Sequence, residues 1–411
     1  MATVLVVGGG IGGLATALSV ASAGFDVTVW ERSDVFAELG AGIQLAPNAF
    51  HALDRLGVGT AVRDRAVLVD ELRLMDAVTG EPIVRFPLTG AYRERFGNPY
   101  SVVHRGDLYQ PLLDASRDHD AIELCGGRRA TGYEEDDDGV TVFDEHGHSR
   151  RGDLLIGADG IRSTIRRALL DDGDPRVTGH TIYRSLVPMD AVPRTLRSEA
   201  VTLWAGPGWH LVHYAIAGGS MLNVAAIRDD RAANVIVGQP VPDAEVVKEF
   251  AGLTGVPRRI LDLGREWRRW VLCDRNPVAD WAHGRVALLG DAAHPMLNYA
   301  AQGAAMALED AVVLGRLLTP GGNHVERLRA YNGARRERAA RAQLIARAMG
   351  GLLYHPAGAA ARSRNERLRA MSADELHDRV AWLHGVREFD ALGAPIVPEA
   401  ALSASGPGRS D

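Results

Sequence analysis

Three short stretches of the chain have residue types and spacing suited to holding a phosphorylated cofactor. The first is "VVGGGIGG", in which Gly8, Gly10 and Gly13 form a G-x-G-x-x-G pattern. The first glycine permits a tight turn, the second lets a pyrophosphate approach the backbone, and the third lets a helix pack closely on a sheet. The second stretch is "GADGIRSTIR", an Asp159-Gly160 pair followed by Ser163 and Arg166. Asp-Gly alone is ordinary β-turn chemistry, but the longer run is much rarer than a turn. The third is "GDAAHPMLNYAAQGAAMALEDA", residues 290–311, which sets Asp291, a His-Pro pair, an Asn-Tyr pair and Gly303 in one connection. A plain strand-to-helix link needs only the glycine. A carboxylate at the mouth of a buried strand can hydrogen-bond a sugar-alcohol hydroxyl of a bound cofactor.

Positioning these residues requires particular elements around them. The N-terminal 30 residues read as a strand over 3–7, a glycine turn, a helix over about 12–23 and a second strand over 26–30. The helix N-terminus offers free N–H groups and partial positive charge to phosphates. Glu31 ends the second strand, where a carboxylate accepts hydrogen bonds from an adenosine ribose; NAD and FAD both remain open on this evidence. Short apolar strands also run into Asp159 and into Gly290-Asp291. After Gly303 the spacing is helical, with Met306, Leu308 and residues 311–314 mixing an apolar face with Glu309 and Asp310. Residues 198–230 alternate apolar and polar side chains between glycine-rich turns, which reads as antiparallel strands. In "GWHLVHYAI" the alternation puts His210, Val212 and Tyr214 on one face, and Leu211 with His213 on the other.

At 411 residues the chain is too long for one ordinary core, so two domains, or one domain with insertions, are expected. A 46% apolar and 24% charged composition is that of a soluble globular protein. The net charge of −6, with no long basic block, argues against nucleic acid as a partner. Cys125 and Cys273 make no metal or redox spacing, which suits a reducing cytoplasm and no metal site. The apolar opening lacks a basic leader and is interrupted by glycines, so neither a targeting segment nor membrane insertion is expected. Residues 131–153 read as a hairpin with an acidic approach. Residues 326–351 read as a basic amphipathic helix with a solvated face and internal ion pairs, a homodimer contact being the alternative.

In this order and at this separation, the three signatures resemble the flavin-dependent aromatic hydroxylases of the p-hydroxybenzoate hydroxylase fold. "GAGIQLAPNAFHALDRLG" (40–57) and "VHRGDLYQPLLDA" (103–115) match two further family segments. The tail over 354–385 is similar to the 3-hydroxybenzoate 6-hydroxylase and salicylate hydroxylase branch. The resemblance implies an α/β fold with a Rossmann-like FAD-binding domain assembled from 1–70, 101–175 and 277–340. Interleaved with it is an antiparallel-sheet substrate-binding domain from 71–100 and 176–276, followed by a C-terminal helical region over 341–403 and a disordered tail over 404–411.

The activity implied is a cycle in which NADH or NADPH reduces FAD and O₂ adds to give a flavin C4a-hydroperoxide. Its distal oxygen attacks a phenolic aromatic acid such as 3-hydroxybenzoate or salicylate. Carried over by position, Gly8, Gly10 and Gly13 would hold the pyrophosphate, Glu31 and Arg32 the adenosine end, and Arg105 the ribityl-phosphate region. Asp291 would bind the ribityl chain, and Asp159 would help to hold FAD and the nicotinamide donor. Gly303 and Ala304 would bring a helix N-terminus to the flavin ring. His210 and Tyr214 take the places of the branch's substrate-activating histidine and its neighbouring tyrosine. Asn298 stands where most relatives carry proline, and its amide would bond a substrate hydroxyl or the flavin hydroperoxide. Pro295 and Gln302 would line the substrate side, and His213 would join them if the strand register slipped by one. No second glycine fingerprint serves the nicotinamide, in keeping with a family that has no separate domain for it. Two other readings are the same fold acting on a natural-product phenol, and a flavin-binding redox protein without turnover.

Overall fold

The structure is a computed structural model that describes residues 2–37 and 40–387; the tail over 404–411 and the end of the 341–403 region lie outside them. The apolar strand Thr3–Val7 needs cover on both faces and lies inside a six-stranded sheet. Leu154–Gly157 and Asp26–Trp30 flank it in parallel, Val286–Leu288 pairs with Leu154–Gly157, and Ile122–Cys125 pairs with Asp26–Trp30. The register sets Val7 opposite Gly157, and Gly157 opposite Leu288. All three signatures therefore leave the sheet from adjacent carboxyl ends, where open α/β sheets bind their ligands. Helices Ile11–Ser22 and Gly303–Leu317 pack on each other, bringing the glycine turn and the residue 290–303 connection to the same side.

A second sheet has eight strands, built from Glu71–Asp76 and Pro82–Pro87 together with six strands between Arg176 and Asp274. One of its faces packs Trp204, Leu211, Val224 and Ala226 on Phe250, Ile260, Leu261 and Trp267. The other face presents Arg184, His210, Val212, Tyr214 and Ala225 to a cavity between the two sheets.

Three sequence expectations are corrected. The 131–153 segment is a three-stranded sheet, not a hairpin: Ser149–Gly152 adds an edge strand to Ala130–Glu135 and Val140–Asp144. Its arginines hide the alternation, because Arg150 pairs with Glu123 and Arg151 with Asp136. Glu309 and Asp310, expected as the polar counterpart of an apolar helix face, are fully buried. Arg335 reaches Asp310 at 2.6 Å and Glu309 at 2.8 Å, and Arg338 reaches Glu309 at 2.7 Å. Both arginines sit on helix His324–Met349 and pair across to the preceding helix rather than within their own, while Arg327, Arg329 and Arg336 on the same helix stay exposed. Paired and hydrogen-bonded, these charges tolerate burial that none would tolerate alone. Among the described residues, no helix is long and apolar enough to cross a membrane.

Candidate active site

A cavity of about 1290 Å³ runs from the Gly8 turn to His210. At its near end Gly8 has φ +110°, and a Cβ there would lie 2.3 Å from the Ala158 carbonyl oxygen. A Cβ on Gly13, behind the turn, would meet the Gly8 carbonyl at 1.8 Å. The first and second signatures thus touch through backbone, which only glycine permits. Gly10 and Arg32 line the cavity. The Glu31 carboxylate accepts the Gly9 N–H at 2.8 Å and the Ser33 N–H at 3.0 Å, fixing the turn it faces.

The second signature also clamps the third. Asp159 accepts from the Ser163 hydroxyl and from the Thr164 N–H at 2.7 Å, capping the helix Thr164–Leu170. Burial raises the Asp159 carboxyl above its ordinary range despite these bonds. Arg166, fully buried, pairs with Asp172 and donates to the Ala292 carbonyl at 2.9 Å and the Ala293 carbonyl at 2.6 Å. From the other side the buried Asp310 carboxylate accepts the Gly290 N–H at 3.1 Å. Asp291, held between these clamps, opens into the cavity with Arg105 on the same wall. Burial pushes its carboxyl up, while the charges of His294 and Arg105 pull it back.

The residues present fit FAD. Helix Gly303–Leu317 aims its first turn into the cavity through Gly303 and Ala304, and no acidic side chain occupies that turn. Such an N-terminus stabilises a partly buried negative charge by up to about 2 kcal/mol, which suits the pyrimidine edge of a reduced flavin. Beside it Gln302 accepts from Asn48 Nδ2 at 2.9 Å, while its own Nε2 is buried without a partner. A buried amide N–H of this kind calls for an acceptor, and the cavity is where one would lie. The set would suit a long molecule: a glycine cradle and the Glu31 carboxylate at one end, a second carboxylate midway, and amide donors at the other.

Beyond Gly303 the cavity becomes a chamber walled by the large sheet. His210, Val212 and Tyr214 face it, as the alternation predicts. His213 does not: it lies on the opposite face, where the Trp204 indole N–H donates to its Nε2 at 3.2 Å, so its place in the pocket is corrected. Strand parity leaves it no route to the chamber. Pro295 is also corrected; it sits behind the wall, with its carbonyl accepting from Gln343 Nε2 at 3.0 Å. Asn298 opens into the chamber at the head of the short turn Asn298–Ala300. Tyr214 packs closely on Gly42, where a Cβ would come within 2.5 Å of its ring. Burial raises the Tyr214 phenol to about 12, so it stays a hydrogen-bond donor. Burial holds the His210 imidazole well below its ordinary range, keeping it neutral, with a ring nitrogen free of a proton to accept a hydrogen bond.

Several residues of this wall escaped the sequence reading. Arg184 lies in the chamber with its guanidinium carbon 5.6 Å from the Trp270 ring centroid, and among the described residues no carboxylate pairs with it. The available signal was a charge at an inward position of the apolar-facing strand, between Ile182 and Leu186. Tyr299 and Tyr354 close the chamber's far side, with the Tyr354 hydroxyl donating to the Tyr299 carbonyl at 3.0 Å. His355 contacts His210, and nothing in its local sequence pointed to that.

Comparison with known proteins agrees with this geometry. Residues 1–346 match a family model described as an FAD binding domain. The chain is 43% identical over 386 residues to 3-hydroxybenzoate 6-hydroxylase 1 of Aquipseudomonas alcaligenes, covering 93% of this chain and 97% of that one. Among solved structures it resembles Klebsiella pneumoniae HpxO complexed with FAD and uric acid, with TM-score 0.82, 27% identity and coverage of 92% and 95% of the two chains. It also resembles a salicylate hydroxylase substrate complex, with TM-score 0.80, 26% identity and coverage of 94% and 95%.

Proposed function

The chain belongs to the flavin-dependent aromatic hydroxylases, and from that premise we propose that it hydroxylates 3-hydroxybenzoate, or a closely similar phenolic acid, at the ring carbon para to the phenolic oxygen. Bound FAD, reduced by NADH or NADPH, supplies an activated oxygen atom from O₂. The protein's own residues prepare the ring. A phenol has a pKa near 10, so full ionisation at neutral pH costs roughly 4 kcal/mol. Neutral His210 accepts a hydrogen bond from the phenol and shares its proton, offsetting part of that cost. Negative charge gathered on the phenolic oxygen makes the para carbon nucleophilic, and in 3-hydroxybenzoate that carbon is C6.

The observation that carries this reading is a proton acceptor, His210, set in one wall with a cation, Arg184, that has no carboxylate partner among the described residues. His210 meets the phenol, and Arg184 offers a permanent charge and forked donors to the carboxylate. Tyr214 and Asn298 orient the hydroxyl from either side. Tyr299, Tyr354 and Leu203 keep water from the oxygen being transferred. The test is NADH and NADPH oxidation by the flavin-loaded protein against a panel of hydroxybenzoates, with aromatic product and peroxide both quantified. Product from 3-hydroxybenzoate hydroxylated at C6 is expected. Reductant consumption matched by peroxide for every phenol would end the proposal.

A further inference from the structure

A second imidazole stands behind the base. His355 Nε2 lies 2.8 Å from His210 Nδ1, and the two ring centroids are 5.0 Å apart. The chain takes trouble to place it there. Helix His324–Met349 runs into a π turn over Gly350–Tyr354, and the His355 N–H closes onto the Gly350 carbonyl at 2.9 Å. Its own carbonyl accepts the Gly208 N–H at 3.1 Å, tying it to the turn before the His210 strand. Such π turns recur at functional positions. His210 is only 2% exposed, whereas His355 is half-buried. On its outer side the His180 ring lies tilted against it at 5.2 Å between ring centroids, with Nε2 4.0 Å from the half-exposed Asp229 carboxylate. Tyr299 faces both His180 and His355, its hydroxyl bonded to His180 Nδ1 at 2.5 Å.

This arrangement meets a difficulty that the proposed function creates. An imidazole that takes a proton in a closed chamber becomes a buried cation, which is costly unless the charge moves on. Resting on that reading, we propose that His355 is the proton relay of His210, carrying the phenolic proton between the chamber and solvent. Neutral His210 holds its proton on Nδ1 and donates it to His355 Nε2, leaving its Nε2 lone pair for the phenol. As the phenolic O–H bond breaks and the His210 Nε2–H bond forms, the Nδ1 proton passes to His355 Nε2, and His355 releases its Nδ1 proton to water on the Asp229 side. When the product's phenolic oxygen is reprotonated the movement reverses. The phenolic oxygen thus loses one proton and regains one, and both histidines return to their starting tautomers.

The test compares His355→Gln and His355→Ala in the flavin-loaded enzyme. Glutamine keeps a hydrogen-bond acceptor for His210 Nδ1 but cannot pass a proton through. Both variants should retain FAD and bind the phenolic acid within about twofold, while hydroxylation falls roughly ten- to hundredfold and peroxide rises. Millimolar imidazole should restore much of the rate to His355→Ala, which leaves room for it. Wild-type hydroxylation by His355→Gln, or a slow His355→Ala that imidazole does not help, would overturn the relay. The control is His210→Ala: if that variant hydroxylates normally, the base assignment itself fails, whereas loss there with a fully active His355→Gln removes only the relay.

Discussion

Two histidines three residues apart on one strand behave alike by every local measure and differ in what they face. His210 is 2% exposed and His213 5%, and burial lowers both imidazoles, His213 to about 4. His210 looks into the cavity that holds the flavin-binding turns and touches a second imidazole. His213 looks into the sheet's opposite core, where it satisfies the Trp204 indole. Burial and a perturbed imidazole therefore do not tell which histidine faces the chamber. Strand parity does, because a side-chain period of two sends neighbours to different compartments.

The contrast is sharpest in turnover. His210→Asn should keep bound FAD yet lose hydroxylation by about 10²- to 10⁴-fold, read as aromatic product per NADH or NADPH consumed. His213→Leu should keep product formation within about threefold. Its cost falls on stability, about 1–3 kcal/mol, because the Trp204 N–H is left buried without an acceptor. Equal loss of product in both variants would mean that the chamber side of the strand has been misassigned.

A parallel comparison holds among the arginines. Arg335 is buried against two carboxylates, whereas Arg184 faces the chamber beside Trp270 with none among the described residues. Arg184→Gln should raise KM for the phenolic acid roughly ten- to hundredfold, the worth of a charged hydrogen bond, and leave an uncharged phenol of the same ring pattern nearly unaffected. Steady-state kinetics on the acid and on the matching benzyl alcohol would separate the two. An equal penalty on both would place Arg184 outside carboxylate recognition.

These contrasts also explain which features the chain displays to a reader. The first strand, glycine turn and helix were legible to within a residue or two, because each is specified by local pattern. The inward parity of His210 and Tyr214 was legible because that strand has different surroundings on its two faces. Glu309 and Asp310 misled, since the arginines that pay for their burial lie on the next helix, at Arg335 and Arg338. Arg166 showed its spacing but not its purpose, which is to bond carbonyls 126 and 127 residues away. His355 reaches His210 only through the π turn, and no periodicity announces such a turn.

The smallest expected effect is the one in which the two histidines should look the same. Each is buried neutral in the folded protein, while in the unfolded chain an imidazole takes up a proton near pH 6.5. The unfolded state then binds more protons, so this contribution is complete above pH 6.5 and is lost as pH falls, for His213 down to about 4. Per histidine the slope approaches about 1.4 kcal/mol for each pH unit inside that window. His384, pushed down to about 3 beside the Tyr92 hydroxyl, adds a third contribution of the same sign. Urea midpoints measured between pH 6.5 and 5 should therefore fall with acid, and His210→Asn and His213→Leu should each flatten the fall by a similar amount. If His210→Asn alone left the slope untouched, its imidazole would already be exchanging protons with solvent through the chamber, and the two sides of the strand would differ in hydration as well as in company.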